Sequence, residues 1–251
     1  KPVRQHYGEI AKLYGDKALF FEINNETDNR DFWRGTTEEY IENLGWALDE
    51  FTKHAPDAII TNGGYTLLEP DMTKEYVEAF RDKLDWISFH THGPLPECVE
   101  IFDKIRQLHN EAGYEDPVYV NTEMGMCAWR LDIEKQQAIV NVKKILYFWA
   151  QGNRGVILYN SRDDQGPRLA NNYAGWGYLD HFMCPRFSYG TISALIDWYA
   201  GASFDSILVE EPGLHVYMFS GNDRWLASVM APGDDMQSRK TVTVASDATK
   251  A

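Results

Sequence analysis

The feature that most constrains this chain is a repeated change of period. Short, nearly continuous apolar runs of strand length alternate with longer stretches in which apolar residues recur at helical spacing. Val3, Tyr7, Ile10 and Tyr14 share a helical face, and Gly15 ends that pattern. Residues 18–23 (Ala-Leu-Phe-Phe-Glu-Ile) then read as a strand. Thr36 and Glu39 stand at capping-box spacing ahead of a face made by Tyr40, Leu44, Ala47 and Phe51. A strand at 58–61 precedes a helix capped by Thr73 and carrying Tyr76, Val77, Phe80 and Leu84. The strand 86–90 follows, then a helix with Ile101, Ile105, Leu108 and Ala112 that stops at Gly113. After the strand 118–123, a helix from about Asp132 bears Ile139, Val142, Leu146 and Trp149, and 155–159 is the fifth strand.

Buried-type strands separated by helices are the pattern of successive βα units on a parallel sheet, whose strands are apolar because helices cover both faces. No Gly-x-Gly-x-x-Gly follows any strand, and Gly63-Gly64 is only a dipeptide, so dinucleotide and P-loop chemistry have little support. An open doubly wound sheet and a (β/α) barrel remain. Beyond residue 160 a polar stretch from Ser161 to Asp180 leads to a last helix near Phe187 to Tyr199. Apolar alternation at 214–219, 225–230 and 241–244 then reads as antiparallel hairpins. The expected organisation is residues 1–203 as part of a barrel and 204–251 as a β tail belonging to a sandwich-like accessory domain.

Composition narrows the function. The chain has 251 residues, 44% hydrophobic and 14% aromatic, enough to fill a core. A formal charge of −14 argues against a general role on nucleic acid, which needs basic patches. No apolar run approaches the roughly 20 residues of a membrane span. Cys98, Cys127 and Cys184 fit neither a disulfide framework nor a zinc spacing.

Polar residues gather at the C-terminal ends of the expected strands: Glu22, Asn24, Asn25, Glu26 and Asp28; Asn62; His90 and His92; Asn121 and Glu123; Asn160, Arg162 and Asp163. In a barrel those ends share one mouth, where active sites lie. A single carboxylate there is usually a helix cap or an ion-pair partner. Two glutamates on separate strands, Glu26 and Glu123, suit work that needs one proton donor and one nucleophile or base.

These residues carry a resemblance to a known group. The segment Phe-Phe-Glu22-Ile-Asn-Asn25-Glu26-Thr-Asp28 resembles the fourth-strand Asn-Glu motif of the clan A glycoside hydrolases. Val-Tyr-Val-Asn-Thr-Glu123-Met-Gly resembles their seventh-strand nucleophile segment, 97 residues further on. The stretches 85–90 and 155–159 are similar to the sixth and eighth strands. The stretches 173–179 and 185–195 are similar to the end of the barrel in family 39, the xylosidase and iduronidase group.

The resemblance implies a (β/α)8 barrel and a retaining glycosidase without cofactor or metal, acting on an oligosaccharide, polysaccharide or other glycoside. Glu26 would be the acid/base, kept protonated by the charge of the second carboxylate, and Glu123 the nucleophile. Asn25 would bind the sugar 2-hydroxyl, and His90, His92 and Tyr159 would line the sugar site. Beside the resemblance, the position of Trp129 and Trp176 in the loops after the last two barrel strands suits either stacking on sugar rings or anchoring those loops into the barrel rim. The chain departs from the family pattern at His92, often tyrosine, at Tyr159, in place of tryptophan, and at Asn24 and Thr27 beside the Asn-Glu pair.

Two rivals stand beside this: a metal-dependent barrel hydrolase using His90 and His92, and a non-catalytic carbohydrate-binding barrel. The Glu210-Glu211 pair is expected in a solvated turn, and Trp149 and Trp198 in packing. Five βα strands correspond to the fourth to eighth of the family. An open arc with an exposed first edge is therefore expected unless a preceding segment or a second chain supplies the first three strands.

Overall fold

A computed structural model describes residues 2–128, 131–163, 175–221 and 224–231. Five short strands run parallel: β1 (Phe21–Glu22), β2 (Ile60–Thr61), β3 (Ile87–His92), β4 (Tyr119–Gly125) and β5 (Val156–Leu158). β1 pairs with β2, and β3, β4 and β5 pair in that order. Isolated bridges from Thr61 to Trp86 and from Tyr65 to Phe89 join the two groups. Each expected strand is present; β1, β2 and β5 are shorter than their apolar runs, whereas β3 and β4 run on to His92 and Gly125. Among the described residues β1 pairs only with β2 and β5 only with β4, leaving the array open at both ends.

Helices α1 (Pro2–Tyr14), α2 (Thr37–His54), α3 (Pro70–Phe80), α4 (Leu95–Glu111), α5 (Glu134–Ala150) and α6 (Phe187–Tyr199) accompany the strands. Helices α2 to α5 are the crossovers between successive parallel strands, the connection such strands require. The α2 start shows how the sequence sets a boundary. The Glu39 N–H donates to Thr36 Oγ1 at 3.3 Å, and the Thr36 N–H donates to Glu39 Oε2 at 2.8 Å. This reciprocal cap satisfies two groups that the helix leaves unpaired. The face that follows, Tyr40, Leu44, Ala47 and Phe51, is buried. Each of its larger side chains contributes about 1.5–3 kcal/mol by leaving water.

The chain continues into an antiparallel sheet of β6 (Ser203–Glu211), β7 (Leu214–Gly221) and β8 (Arg224–Met230). The expected strands at 214–219 and 225–230 lie within β7 and β8; the run 241–244 lies outside the described residues. Among the described residues no helix is long and apolar enough to cross a membrane.

Four sequence expectations are corrected. Helix α3 begins at Pro70, whose fixed φ suits a first turn, so Thr73 lies inside it; the Thr73 hydroxyl donates to Asp28 Oδ2 at 2.7 Å. Glu210 and Glu211 end β6 rather than forming a turn, and Glu210 Oε2 accepts hydrogen bonds from Gln151 and Tyr217, both 2.8 Å. Trp149 packs against Tyr199 and Phe219, but Trp198 is 65% exposed. Asn62 is a strand tie, exchanging two 2.8 Å hydrogen bonds with the Ser88 backbone, and so is not a mouth residue.

Candidate active site

The site forms where β1, β3 and β4 end. Beyond β1 the chain turns sharply through Asn24 and Glu26, both with positive φ (70° and 44°). Asparagine tolerates that region; a glutamate held there is costly, as is common at functional positions. Neighbours pin the turn. The Glu26 N–H donates to the Gly63 carbonyl, and the Asn29 N–H donates to the Glu26 carbonyl. Asp28, fully buried, accepts from the Thr66 and Leu67 N–H groups and from the hydroxyls of Thr66 and Thr73. Asp28 is thus an anchor for the loop after β2. The outcome is a buried Glu26, 7% exposed as a residue, with its side chain aimed at His90.

A change of register delivers the second glutamate. Along β3 and β4, Phe89 faces Asn121 but His90 faces Glu123, so Thr122 is an extra residue on β4. Such a bulge re-aims the side chains that follow it. Glu123 thereby sits opposite His90, and His92 Nε2 lies 3.1 Å from Glu123 Oε1.

His90 and His92, two residues apart, share one face of β3. His90 Nδ1 is 2.9 Å from Glu26 Oε1, and its Nε2 is 3.5 Å from Glu22 Oε1. Gly64, with φ of 67°, makes room for this ring, since a Cβ there would strike the imidazole. That gives the Gly63-Gly64 dipeptide a purpose its sequence did not reveal. Burial alone would push the His90 pKa down, but hydrogen bonds to Glu22 and Glu26 outweigh it and raise it to about 9.

The expected raised pKa of Glu26 is overturned. Burial pushes its carboxyl up, but the hydrogen bonds from His90 and Asn29 (2.8 Å to Oε2) prevail and hold it below the ordinary range. Its nearest partners are donors, and they outweigh the more distant Glu123 charge.

One carboxylate oxygen from each of Glu26 and Glu123 and a ring nitrogen of His92 lie within 4.8 Å of one another. Among the described residues this is the one acidic and histidine group spaced for a cation. His90 is not part of it, and both its ring nitrogens face carboxylates, so the His90/His92 metal pair is not formed.

Of the other expected residues, Tyr159 and Trp176 reach the site. Their rings lie 5.9 and 4.9 Å from His92 and 5.8 Å from each other, all edge-on. The Tyr159–Asn160 peptide bond is cis. Asn25 is exposed on the turn beside Glu26. Trp129 lies outside the described residues. Sequence reasoning missed Asn29 as a partner of Glu26, although it follows by three residues in the same turn. It placed Glu22 at the rim without seeing its imidazole partner.

Comparison with solved structures places this architecture. A family 39 glycoside hydrolase from Bacteroides cellulosilyticus WH2 matches with a TM-score of 0.69 at 17% identity, over 92% of this chain and 50% of that one. A glucosidase from Croceicoccus marinus matches with a TM-score of 0.68 at 13% identity, over 88% and 51%. The fold is that of the barrel glycoside hydrolases. A family 51 α-L-arabinofuranosidase from Bifidobacterium longum shares this glycoside hydrolase fold, with a TM-score of 0.60 at 10% identity over 80% and 50%. The chain spans about half the length of these proteins. No family model matches the sequence, and no curated protein does.

Proposed function

We propose that this chain carries the catalytic centre of a retaining glycoside hydrolase, with Glu123 as nucleophile and Glu26 as acid/base. The observation that carries the proposal is the approach of their carboxylate oxygens to within 4.8 Å. That spacing suits double displacement, for which carboxyl groups about 5–5.5 Å apart are usual; an inverting pair stands further apart to admit a water.

In the first step a Glu123 oxygen attacks the anomeric carbon while the glycosidic oxygen leaves with one proton. The His90–Glu26 pair holds that proton, on the imidazole in the open site. A bound sugar excludes water, which disfavours the ion pair and moves the proton onto Glu26, beside the departing oxygen. In the second step Glu26 and His90 take a proton from water as its oxygen replaces Glu123 on the sugar. General acid and base assistance of this kind contributes on the order of 10²–10⁴-fold. His92 hydrogen-bonds Glu123 and orients it, and Asn25 stands beside the acid for a sugar hydroxyl. Tyr159 and Trp176 offer an aromatic wall to the apolar face of a sugar ring. The solved neighbours named for glucosidase and arabinofuranosidase action make a pentoside or hexoside the first substrates to try. The open edges at β1 and β5 fit completion by further βα units, and turnover is proposed for that complete form.

The test is a panel of nitrophenyl glycosides with the wild type and Glu123→Ala. Turnover lost in the variant and restored by azide, giving a glycosyl azide of inverted configuration, supports the proposal. Turnover unaffected by Glu123→Ala contradicts it.

A further inference from the structure

Asp163 stands at the strand-end rim in the sequence, yet it is 4% exposed and does not face the site. Its Oδ1 accepts the N–H groups of Gly175 at 3.0 Å and Gly177 at 2.8 Å, and its Oδ2 accepts from Arg186 Nη2. Arg186, 6% exposed, also places Nη1 3.5 Å from Glu134 Oε1. From α5, the fully buried Gln137 donates to the Gly175 carbonyl at 2.7 Å and the Met126 carbonyl at 2.9 Å. Ser188 of α6 donates to Gln137 Oε1 at 3.2 Å.

Both peptide planes that flank the Trp176 Cα are therefore fixed. The plane before it is held through the Gly175 carbonyl, and the plane after it through the Gly177 N–H. With those planes fixed, the Cα–Cβ bond of Trp176 has one direction, and the contacts beyond it select the rotamer of the ring. It lies edge-on to His92 at 4.9 Å and against Gly125, where a Cβ would come within 3.1 Å of the ring. Gly125 follows Glu123 by two residues on β4, so the ring packs against His92 and against the strand that carries Glu123.

We propose that Asp163, tied to Arg186, is a positioning residue that sets the orientation of Trp176 and so the fit of the sugar beside Glu123. The role of Trp176 as a sugar wall rests on the glycosidase proposal, whereas the orientation of its ring does not. Charge-assisted hydrogen bonds suit the task, being shorter and about twice as strong as neutral ones. A rotating wall must be ordered each time a sugar binds, whereas a fixed one is preorganised and so tightens binding.

The experiment is fluorine NMR of the full chain labelled with 5-fluorotryptophan, comparing wild type, Asp163→Asn and Arg186→Lys, with Trp176→Phe to assign the resonance. The chain has eight tryptophans. Expected is a single sharp Trp176 resonance in the wild type that broadens or splits in both variants while the other seven hold their shifts. On whichever nitrophenyl glycoside is turned over, KM should rise about tenfold with kcat changed less than threefold. An unchanged Trp176 resonance in folded variants overturns the proposal. Loss of dispersion at all eight resonances in both variants also overturns it, assigning the pair to fold stability alone. The resonance needs no turnover, so a failed glycosidase assay and a failed clamp are told apart.

Discussion

His90 Nδ1 lies 2.9 Å from Glu26 Oε1, so the proposed acid/base shares a hydrogen bond with an imidazole whose pKa is raised to about 9. Glu22 and Glu123 also face this imidazole, and His92 follows it on the same strand face. The pair, not Glu26 alone, is the unit that titrates. Its last proton leaves as pH rises through about 9, so the basic limb of kcat/KM is expected there. In His90→Asn that limb should fall by more than one pH unit, because Glu26 must then hold the proton unaided. The same shift has a stability consequence. A histidine raised from about 6.5 stabilises the fold fully below that value, and the contribution is lost as pH rises through about 9. Urea melts from pH 6 to 10 should show this loss in the wild type and not in His90→Asn.

Gly64 and His90 are matched in space. In Gly64→Ala the new Cβ collides with the ring, and a φ of 67° is unfavourable for alanine by about 1–2 kcal/mol. Expected is a folded protein, less stable by roughly that amount or more. Its kcat/KM should be down on the order of 10²-fold, as the shared proton is misplaced. Thermal melts and steady-state kinetics on the same preparation check both parts, and unchanged kinetics would disconnect the ring's position from catalysis.

Lys144 of α5 is fully buried and donates to three carbonyls, Thr91 at 3.3 Å, Gly93 at 3.1 Å and Gly125 at 2.7 Å. It ties the end of β3 to the end of β4, the two segments that bring His92 to Glu123. Replacing it with methionine leaves those carbonyls without this donor, at about 1–3 kcal/mol for each one not rehydrated. A loss of about 3 kcal/mol or more is expected, measured by urea titration. A change under about 0.5 kcal/mol would contradict the tie.

The parallel array was legible because each strand is an apolar run between helical patterns, and the α2 boundary because Thr36 and Glu39 carry their own cap. Glu26 and Glu123 stood out as carboxylates at separate strand ends. What stayed hidden depends on contacts between distant segments. The extra residue at Thr122 appears only when β4 is paired with β3. Asp28, Asn62 and Asp163 look like rim residues in one dimension; in three they anchor loops and strands. Strand β6 was missed because its burial alternates only weakly, with most residues exposed and charges at Asp205, Glu210 and Glu211. The low pKa of Glu26 was missed since nothing in the sequence says that His90 and Asn29 are its nearest donors.

The most direct measurement is mass spectrometry of the protein after incubation with an activated 2-deoxy-2-fluoro glycoside of whichever sugar the panel shows to be cleaved. The fluorine slows release of a covalent intermediate, so the nucleophile stays labelled. Expected is one added glycosyl mass that maps to the peptide carrying Glu123 and is absent in Glu123→Ala. A label on any other carboxylate, or inverted product with no label, would contradict double displacement at Glu123.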